Sequence, residues 1–391
     1  MAKSNHLKKL QFSLPSSWYF DSNFYDKELS ELWMKNWIYL CHSSNLKNNL
    51  DFRTFSIGKQ NIILIRNSHG KLLAFYNTCR HRGSLIVTET FGRLKSKLFT
   101  CPYHQWSYSS DDGKLAKVAS FSEIPEGFCK ENFSLYKIAL KEWRGCIFIN
   151  LSEKPIWDDA SVFQRSPEGL KQHPIENMTC GKIWEKTLNC NWKSFWENFN
   201  ECLHCPNVHP ELTDLVPMFN RRIINPRDLP NWETKSEHSD PKYSGGLKKG
   251  AETWSDDGSA QGRIIETLGQ DEILKGHVYA SAWPSVFIGG YADHVRIVKI
   301  NPIEPEKIKI SAEWLFENET LKDKNYNKDN VISFACRVME QDGKACELNQ
   351  IGIHSKPHKQ GVLMPEEYVI KNFHDWLKKQ LKIKNYSDYK V

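Results

Sequence analysis

Cys79-Arg-His81 and Cys101-Pro-Tyr-His104 are the two stretches of sequence that decide the fold of this chain. Each combines one cysteine with one histidine at close spacing. A two-iron, two-sulfur cluster in which one iron is held by two thiolates and the other by two neutral imidazoles requires this ligand set. The imidazoles raise the reduction potential above that of an all-cysteine cluster. We therefore expect a [2Fe-2S] one-electron relay held by Cys79, His81, Cys101 and His104.

A structural zinc site is the alternative, because Cys2His2 sets also bind zinc tetrahedrally. Zinc fingers usually pair Cys with Cys and His with His, whereas each stretch here mixes the two. Gly83 and Pro102 also favour tight turns at the two places. Ligand softness and spacing favour the cluster over zinc.

Length and composition narrow the class of protein. The chain has 391 residues, which favours two domains, and its net charge of +6 is spread along the sequence. Short lysine clusters of this kind are typical of solvated faces, so we expect no nucleic-acid partner. No apolar run is long enough to span a bilayer and no secretory signal opens the sequence. We expect a cytoplasmic protein whose 11 cysteines are thiols and ligands rather than a disulfide framework.

The apolar pattern changes along the chain. Helical spacing over residues 19–42 predicts an amphipathic helix, and short alternating strands over 50–150 predict a β domain with both cluster stretches at hairpin tips. A polar connector follows at 152–180. The second region has helical patterns at 191–205, 328–356 and 365–382, strand patterns at 277–316, and a long loop or lid at 222–262. This combination predicts a helix-plus-antiparallel-sheet domain.

A second metal site is indicated by Glu201, His204 and His209. Glu201 and His204 are three residues apart, which places them on one face of a helix. Pro206 is expected to end that helix, so that His209 folds back beside His204. Two histidines and one carboxylate are the facial triad of non-haem ferrous iron, although histidines in a core or at a helix cap have the same spacing.

The blocks CRHRG (79–83) and CPYHQW (101–106) resemble the Rieske family. Ser84 and Tyr103 stand where respiratory Rieske proteins carry the cysteines of a disulfide, which favours the oxygenases. With N-x(9)-E-x2-H-x4-H at 191–209, the chain resembles the α-subunits of Rieske non-haem iron oxygenases over nearly its whole length.

The resemblance implies an α+β protein: an N-terminal helical segment (1–45), an all-β Rieske domain (46–151) and a helix-grip catalytic domain with mononuclear Fe(II) (152–391). It also implies a third iron ligand, best matched by Asp342, with Glu340 and Glu347 as competitors. Glu201 would bridge the two metal centres by bonding His204 and His104 of a neighbouring chain in a homotrimer.

The form Glu-Cys-Leu-His-Cys-Pro at 201–206 is similar to the branch that oxidises quaternary amines such as glycine betaine, carnitine and choline. A trimethylammonium group favours an aromatic cage. An ordinary core position is the commoner explanation for any single aromatic residue. The candidate side chains are Phe199, Tyr279, Trp283, Phe287, Tyr291 and Trp314.

Such a chain would hydroxylate a C–H bond with O2. The sequence contains no dinucleotide-binding GxGxxG turn and no plant-type ferredoxin motif, so we expect a separate NAD(P)H-dependent flavin/iron-sulfur reductase. Two alternatives stay open: a dioxygenase that hydroxylates aromatic rings, and a Rieske electron carrier without catalysis.

Overall fold

The computed structural model describes residues 5–221 and 240–384, and its contacts divide the chain into two units. One unit is Trp33–Val162, and the other combines the residues up to Leu32 with those from Phe163 onward. The divisions therefore fall at 32/33 and 162/163 rather than at 45/46 and 151/152. The first differs because Ile38–His42 is a strand that pairs with Cys146–Asn150 inside the smaller unit.

The N-terminal segment is less helical than its apolar spacing predicts. It consists of β1 (Gln11–Pro15), a 3-10 turn (Ser16–Tyr19), α1 (Ser22–Glu28) and a π-helical turn (Leu29–Trp33). Asp21 caps α1 by accepting a hydrogen bond from the Phe24 N–H at 2.7 Å. The predicted helix over 19–42 is thus wrong beyond Trp33, where strand structure replaces it.

The smaller unit contains two antiparallel sheets. Its strands are β2 (Ile38–His42), β3 (Asp51–Ile57), β4 (Gln60–Arg66), β5 (Leu72–Tyr76), β6 (Phe91–Arg93), β7 (Leu98–Thr100), β8 (Ser107–Ser109), β9 (Leu115–Lys117), β10 (Lys137–Trp143) and β11 (Cys146–Asn150). The seven-stranded sheet has the order β2-β11-β10-β5-β4-β3-β6 and the three-stranded sheet the order β7-β8-β9. A short helix, α2 (Asp159–Val162), ends the unit.

The larger unit is built on a five-stranded antiparallel sheet in the order β12-β16-β15-β14-β13. These strands are β12 (Thr179–Leu188), β13 (Val278–Ala282), β14 (Val286–Gly290), β15 (Val295–Glu304) and β16 (Lys307–Phe316); β17 (Gln360–Leu363) pairs with β1. Its helices are α3 (Trp192–Phe199), α4 (Cys205–Val208), α5 (Pro210–Leu215), α6 (Pro241–Ser244), α7 (Gln270–Lys275), α8 (Asn318–Lys322), α9 (Asp329–Ile353) and α10 (Tyr368–Gln380). The predicted helix-plus-antiparallel-sheet region is confirmed.

The helix predicted over 191–205 ends early. Asn191 caps α3 through its side chain, and Asn200 closes the helix after Phe199. Pro206 does not end this helix but lies in the first turn of α4, where a proline costs no intrahelical hydrogen bond. Glu201 and His204 therefore lie in the turn between two helices. Of the long loop predicted at 222–262, residues 222–239 lie outside the described residues.

None of the described helices is both long and apolar enough to span a membrane.

Candidate metal centres and active-site cavity

The two cluster loops share one backbone pattern. In each, the cysteine N–H donates to a carbonyl five residues on and the cysteine carbonyl accepts from an N–H four residues on. The bonds are Cys79 to Ser84 (2.8 Å) and Gly83 to Cys79 (2.9 Å) in the first loop, and Cys101 to Trp106 (2.9 Å) and Gln105 to Cys101 (3.0 Å) in the second. Gly83 and Gln105, the equivalent residues, both have left-handed backbone, with φ of 81° and 58°. The sequence thus builds the same loop twice.

Only the second loop is a hairpin tip. It joins β7 to β8, which are paired neighbours. The first loop connects β5 with β6, which lie apart in the seven-stranded sheet, so the prediction of two hairpin tips is wrong for this loop.

The four predicted cluster ligands lie together. Cys79 and Cys101 are buried, whereas the His81 and His104 rings are half-buried with centroids 4.8 Å apart. The Tyr108 hydroxyl lies 3.2 Å from the Cys79 sulfur. Burial lowers the pKa of His81, with a contribution from His104, and so favours the neutral ring that binds iron. The donor set fits a cluster with its thiolates inside the unit and its imidazoles toward the surface.

His204, His209 and Asp342 converge in the larger unit. Asp342 Oδ1 lies 3.3 Å from His204 Nε2 and 2.8 Å from His209 Nε2. The two rings have centroids 5.3 Å apart, and both His209 and Asp342 are buried. Two imidazole nitrogens and one carboxylate oxygen directed at one point could hold a divalent metal ion. Such an ion would also neutralise the negative charge of the buried Asp342 carboxylate.

Neither competitor of Asp342 reaches the histidines. Glu340 pairs with Lys186 at 3.2 Å on the surface, and Glu347 accepts a hydrogen bond from the Asn189 N–H. Gly343, which follows Asp342 in α9, has a role of its own. A Cβ there would lie 2.7 Å from a Leu188 methyl group, so the glycine allows α9 to approach β12 closely.

The remaining nitrogen of each histidine has a partner. His204 Nδ1 lies 2.5 Å from Glu201 Oε1, and His209 Nδ1 lies 2.6 Å from Gln341 Oε1. These bonds orient the rings and keep each Nε2 directed at Asp342. Burial acts to lower the pKa of His204, but hydrogen bonds to Asp342 and Glu201 raise it to about 10. A metal ion on Nε2 would take the place of that proton.

Sequence reasoning missed two residues of this site. The Asn198 amide donates to Asp342 Oδ1 at 2.6 Å, and Gln341 in turn donates to Glu211 at 2.8 Å. Gln341 adjoins the predicted ligand and could have been named for that reason, whereas Asn198 reaches Asp342 only because α3 packs on α9.

Cys202 and Cys205, on either side of His204, form a disulfide with Cα atoms 5.0 Å apart. The expectation that the cysteines are thiols and ligands is wrong for this pair, because the turn after α3 brings the two residues together. Cys205, His204 and His209 also form a cluster of close ligand atoms. A sulfur bound in a disulfide is not a thiolate, which leaves Asp342 as the third donor.

A cavity of about 300 Å³ opens beside this triad. Phe199, Tyr279 and Phe287, three of the predicted cage residues, line it, as do Phe219 and Trp254, which sequence reasoning missed. The Phe199 and Phe287 rings meet edge to face at 5.2 Å, and Tyr279 lies 4.6 Å from Phe287. An apolar aromatic wall thus faces the metal ligands.

The other three predicted cage residues do not line the cavity. Trp283 follows β13 and packs against Trp196, Phe373 and Trp376. Tyr291 stacks on His294 at 4.5 Å, and both Tyr291 and Trp314 are buried in the core. For these residues the prediction is wrong, because β propensity alone does not tell which aromatic side chains face a ligand.

The cavity wall also carries cationic groups that sequence reasoning missed. Arg165, Lys275 and Arg296 line it together with His277, and Arg296 is only 4% exposed. Burial and the charges of the two arginines lower the pKa of His277 to about 3, so its ring is neutral. The stretch Val295-Arg-Ile-Val-Lys-Ile300 held a signal, since an arginine amid apolar residues of a strand is unusual.

The fold and the two ligand sets define a class, the Rieske-type oxygenases, and comparison with known families gives the same class. A model of the ring hydroxylating alpha subunit (catalytic domain) matches residues 173–383, and a model of the Rieske [2Fe-2S] domain matches residues 36–127. The chain therefore belongs to the ring-hydroxylating alpha subunits. It is an oxidoreductase whose cofactors are a [2Fe-2S] cluster and mononuclear iron.

Individual relatives cover nearly the whole chain. The glycine betaine monooxygenase oxygenase subunit of Pseudomonas aeruginosa (strain UCBPP-PA14) is 27% identical over 95% of this chain and 89% of its own. The chloroplastic choline monooxygenase of Spinacia oleracea is 27% identical over 94% of this chain and 78% of its own. The quaternary ammonium Rieske monooxygenase CntA in complex with L-carnitine shares the fold, with a TM-score of 0.71, 20% identity and coverage of 95% and 96%.

Proposed function

We propose that this chain is the oxygenase component of a monooxygenase that hydroxylates a C–H bond of a quaternary amine with O2. The observation that carries the proposal is the aromatic cavity beside the convergent His204, His209 and Asp342. Relatives of this length that act on glycine betaine and choline support the choice of substrate. The match to the catalytic-domain family argues against a Rieske carrier without catalysis.

In this proposal Cys79, His81, Cys101 and His104 hold the [2Fe-2S] cluster, and His204, His209 and Asp342 hold the mononuclear iron. Bound there, the metals would supply one-electron transfer and oxygen activation. The protein orients the ligand rings through Glu201 and Gln341 and surrounds the substrate with aromatic side chains.

Hydroxylation of an N-methyl carbon consumes O2, two electrons and two protons and releases water. The hydroxymethyl product then loses formaldehyde and a proton and leaves a tertiary amine. Oxidation of a carbon further along the substrate would instead release trimethylamine. Both reactions need an outside electron donor, for which we propose a separate NAD(P)H-dependent flavin/iron-sulfur reductase in the cytoplasm.

Two measurements test the proposal. We expect three irons and two labile sulfides per chain, and we expect Asp342→Ala to keep the cluster spectrum but to bind only two irons. Glycine betaine, carnitine and choline are then assayed with reductant for oxygen uptake, formaldehyde and trimethylamine. If the protein oxidises only aromatic rings and none of these amines, it is instead a ring-hydroxylating dioxygenase.

A further inference from the structure

We propose that the cavity holds a substrate carboxylate on Arg296, assisted by Arg165, so that the enzyme selects quaternary amines that also carry a carboxylate. This inference rests on the proposed function and narrows its substrate class. It separates betaine-type substrates from choline-type substrates, which carry an alcohol in place of the acid.

The sheet register places Arg296 on the cavity floor. Tyr279 of β13 pairs with Gly289 of β14, and Gly289 pairs with Arg296 of β15, so the three residues form one row across the sheet. Directly paired residues of neighbouring strands face the same side. The middle residue is a glycine, and the Tyr279 and Tyr291 rings lie over it, where a Cβ would be 2.8 Å from the Tyr291 hydroxyl. Tyr279 and Arg296 both line the cavity. Phe287, two residues before Gly289, is on the same face.

Arg296 is buried without an acidic partner. Among residues 5–221 and 240–384 no carboxylate lies within 4 Å of its guanidinium, and its Nε makes no hydrogen bond there. The Arg296 guanidinium instead lies over the Tyr291 ring, with Cζ 5.4 Å from the ring centroid. A buried cation needs an anion or hydrogen-bond acceptors, and a planar guanidinium suits a carboxylate bidentately.

Arg165 lies on the wall of the same cavity. Its guanidinium carbon lies 5.2 Å from the Tyr279 ring centroid, and no carboxylate of the described residues pairs with it. It is more exposed than Arg296, as expected of a side chain near the opening of a cavity. Burial among protein atoms nevertheless lowers its pKa.

The acidic groups of the cavity are already engaged. Glu201 and Asp342 both bond to His204, and a ferrous ion would balance their charge. His277 is neutral, which leaves Arg165, Arg296 and the exposed Lys275 as the uncompensated positive charge of the lining. A substrate with only a cationic head would add a further positive charge, whereas a carboxylate neutralises the arginines while the trimethylammonium group packs on the aromatic wall.

Three probes of similar shape separate the two ends of the substrate. Glycine betaine has the cation and the carboxylate, choline has the cation and an alcohol, and 3,3-dimethylbutanoate has the carboxylate and an uncharged tert-butyl group. Dissociation constants are measured by calorimetry on the iron-loaded protein. We expect glycine betaine to bind at least about 100-fold more tightly than choline, and 3,3-dimethylbutanoate to compete with it.

Arg296→Met tests the residue itself. We expect the dissociation constants of glycine betaine and 3,3-dimethylbutanoate to rise by about 100-fold and that of choline to change by less than about threefold. Arg165→Met should shift them in the same direction by a smaller factor. Arg337→Met is the matched control, because Arg337 pairs with Asp256 outside the cavity and should change no affinity. An unfolding midpoint that does not fall in Arg296→Met shows that the fold is intact.

Equal binding of choline and glycine betaine by the native chain would overturn the inference and leave the proposed function standing. An unchanged affinity ratio in Arg296→Met would also overturn it. If glycine betaine, choline and carnitine all fail to bind, the proposed function fails, whereas the carboxylate site is still supported when Arg296→Met abolishes binding of 3,3-dimethylbutanoate.

Discussion

Glu201 lies where it can act on the metal site without binding metal. Its Oε1 contacts His204 Nδ1 and its Oε2 accepts from the Leu203 N–H, so the carboxylate is fixed by the turn that also carries the ligand. We expect Glu201→Ala to keep three irons per chain and to lower turnover by about 10- to 100-fold, because the ring loses its orienting partner. Iron analysis and oxygen-coupled turnover measure the two effects.

The control is Glu340→Gln, which alters an exposed carboxylate of the neighbouring helix and should leave both values unchanged. Stopped-flow reoxidation of the reduced cluster adds a readout for the proposed bridge to His104 of a neighbouring chain. Near-normal turnover of Glu201→Ala would contradict both proposed roles of Glu201, the orientation of His204 and the bridge to His104.

The buried His277 is expected to make the free energy of unfolding of the protein depend on pH. Its pKa of about 3 lies below the ordinary value near 6.5. Between these values the unfolded chain binds more protons, so the free energy of unfolding falls as pH falls. We expect His277→Gln to remove a slope of up to about 1.4 kcal/mol per pH unit, measured by urea unfolding from about pH 6 to about pH 4.

His69→Gln is the matched control, because the His69 side chain is 73% exposed. Its profile should follow that of the native chain. A profile of His277→Gln parallel to the native one would contradict the assignment of the slope to His277.

α1 and α3 are joined by an ion pair with no solvent contact. Lys193 Nζ lies 2.7 Å from Glu28 Oε1, and both side chains are 0% exposed. The Trp192 indole donates to the other Glu28 oxygen at 2.9 Å. We expect Glu28→Gln to lower the free energy of unfolding by about 3 to 5 kcal/mol, because it leaves Lys193 charged and buried. Urea unfolding followed by tryptophan fluorescence measures the loss.

The double variant Glu28→Met, Lys193→Met should recover most of that loss, since it removes both charges. Lys186→Met, which breaks the exposed pair with Glu340, should cost less than about 1 kcal/mol. A double variant as unstable as Glu28→Gln would show that packing rather than charge dominates here.

Local sequence predicted some elements well and others poorly, for physical reasons. The apolar period of α9 is long enough to fix the helix, so residues 328–356 were predicted within a few positions of Asp329–Ile353. At the N-terminus the same period continues into Ile38–His42, whose buried residues suit a strand equally well. Pairing with β11, which is distant in sequence, makes that segment a strand. The local apolar pattern carries no information about this pairing.

Across the whole chain, the ligand residues were easier to predict than the cavity. Each cluster loop holds its cysteine and histidine close in sequence, so their spacing indicates the chemistry, whereas His204, His209 and the distant Asp342 were predicted through the resemblance to the family. The cavity row of Tyr279, Gly289 and Arg296 forms only through the register of three strands. A single sequence does not reveal that register, which is why Arg296 was missed and Trp283 was wrongly included.

The proposed homotrimer has a consequence that a mixed assembly tests. One variant, His81→Ala, lacks a working cluster, and a second, Asp342→Ala, lacks a working mononuclear site; each alone should be inactive. If electrons pass from the cluster of one chain to the iron of the next, every mixed trimer regains one working pair. Purified mixed trimers then give about a third of the native turnover per trimer, because each has one working site of three.

The two variants are co-expressed with different affinity tags, so that only mixed assemblies are purified. Sedimentation of the purified material measures its mass, which should be that of three chains. The same tags on two copies of Asp342→Ala give the matched control, which should stay inactive. Mixed trimers without turnover would show that each chain passes electrons only to its own iron, since every other component of the reaction is present.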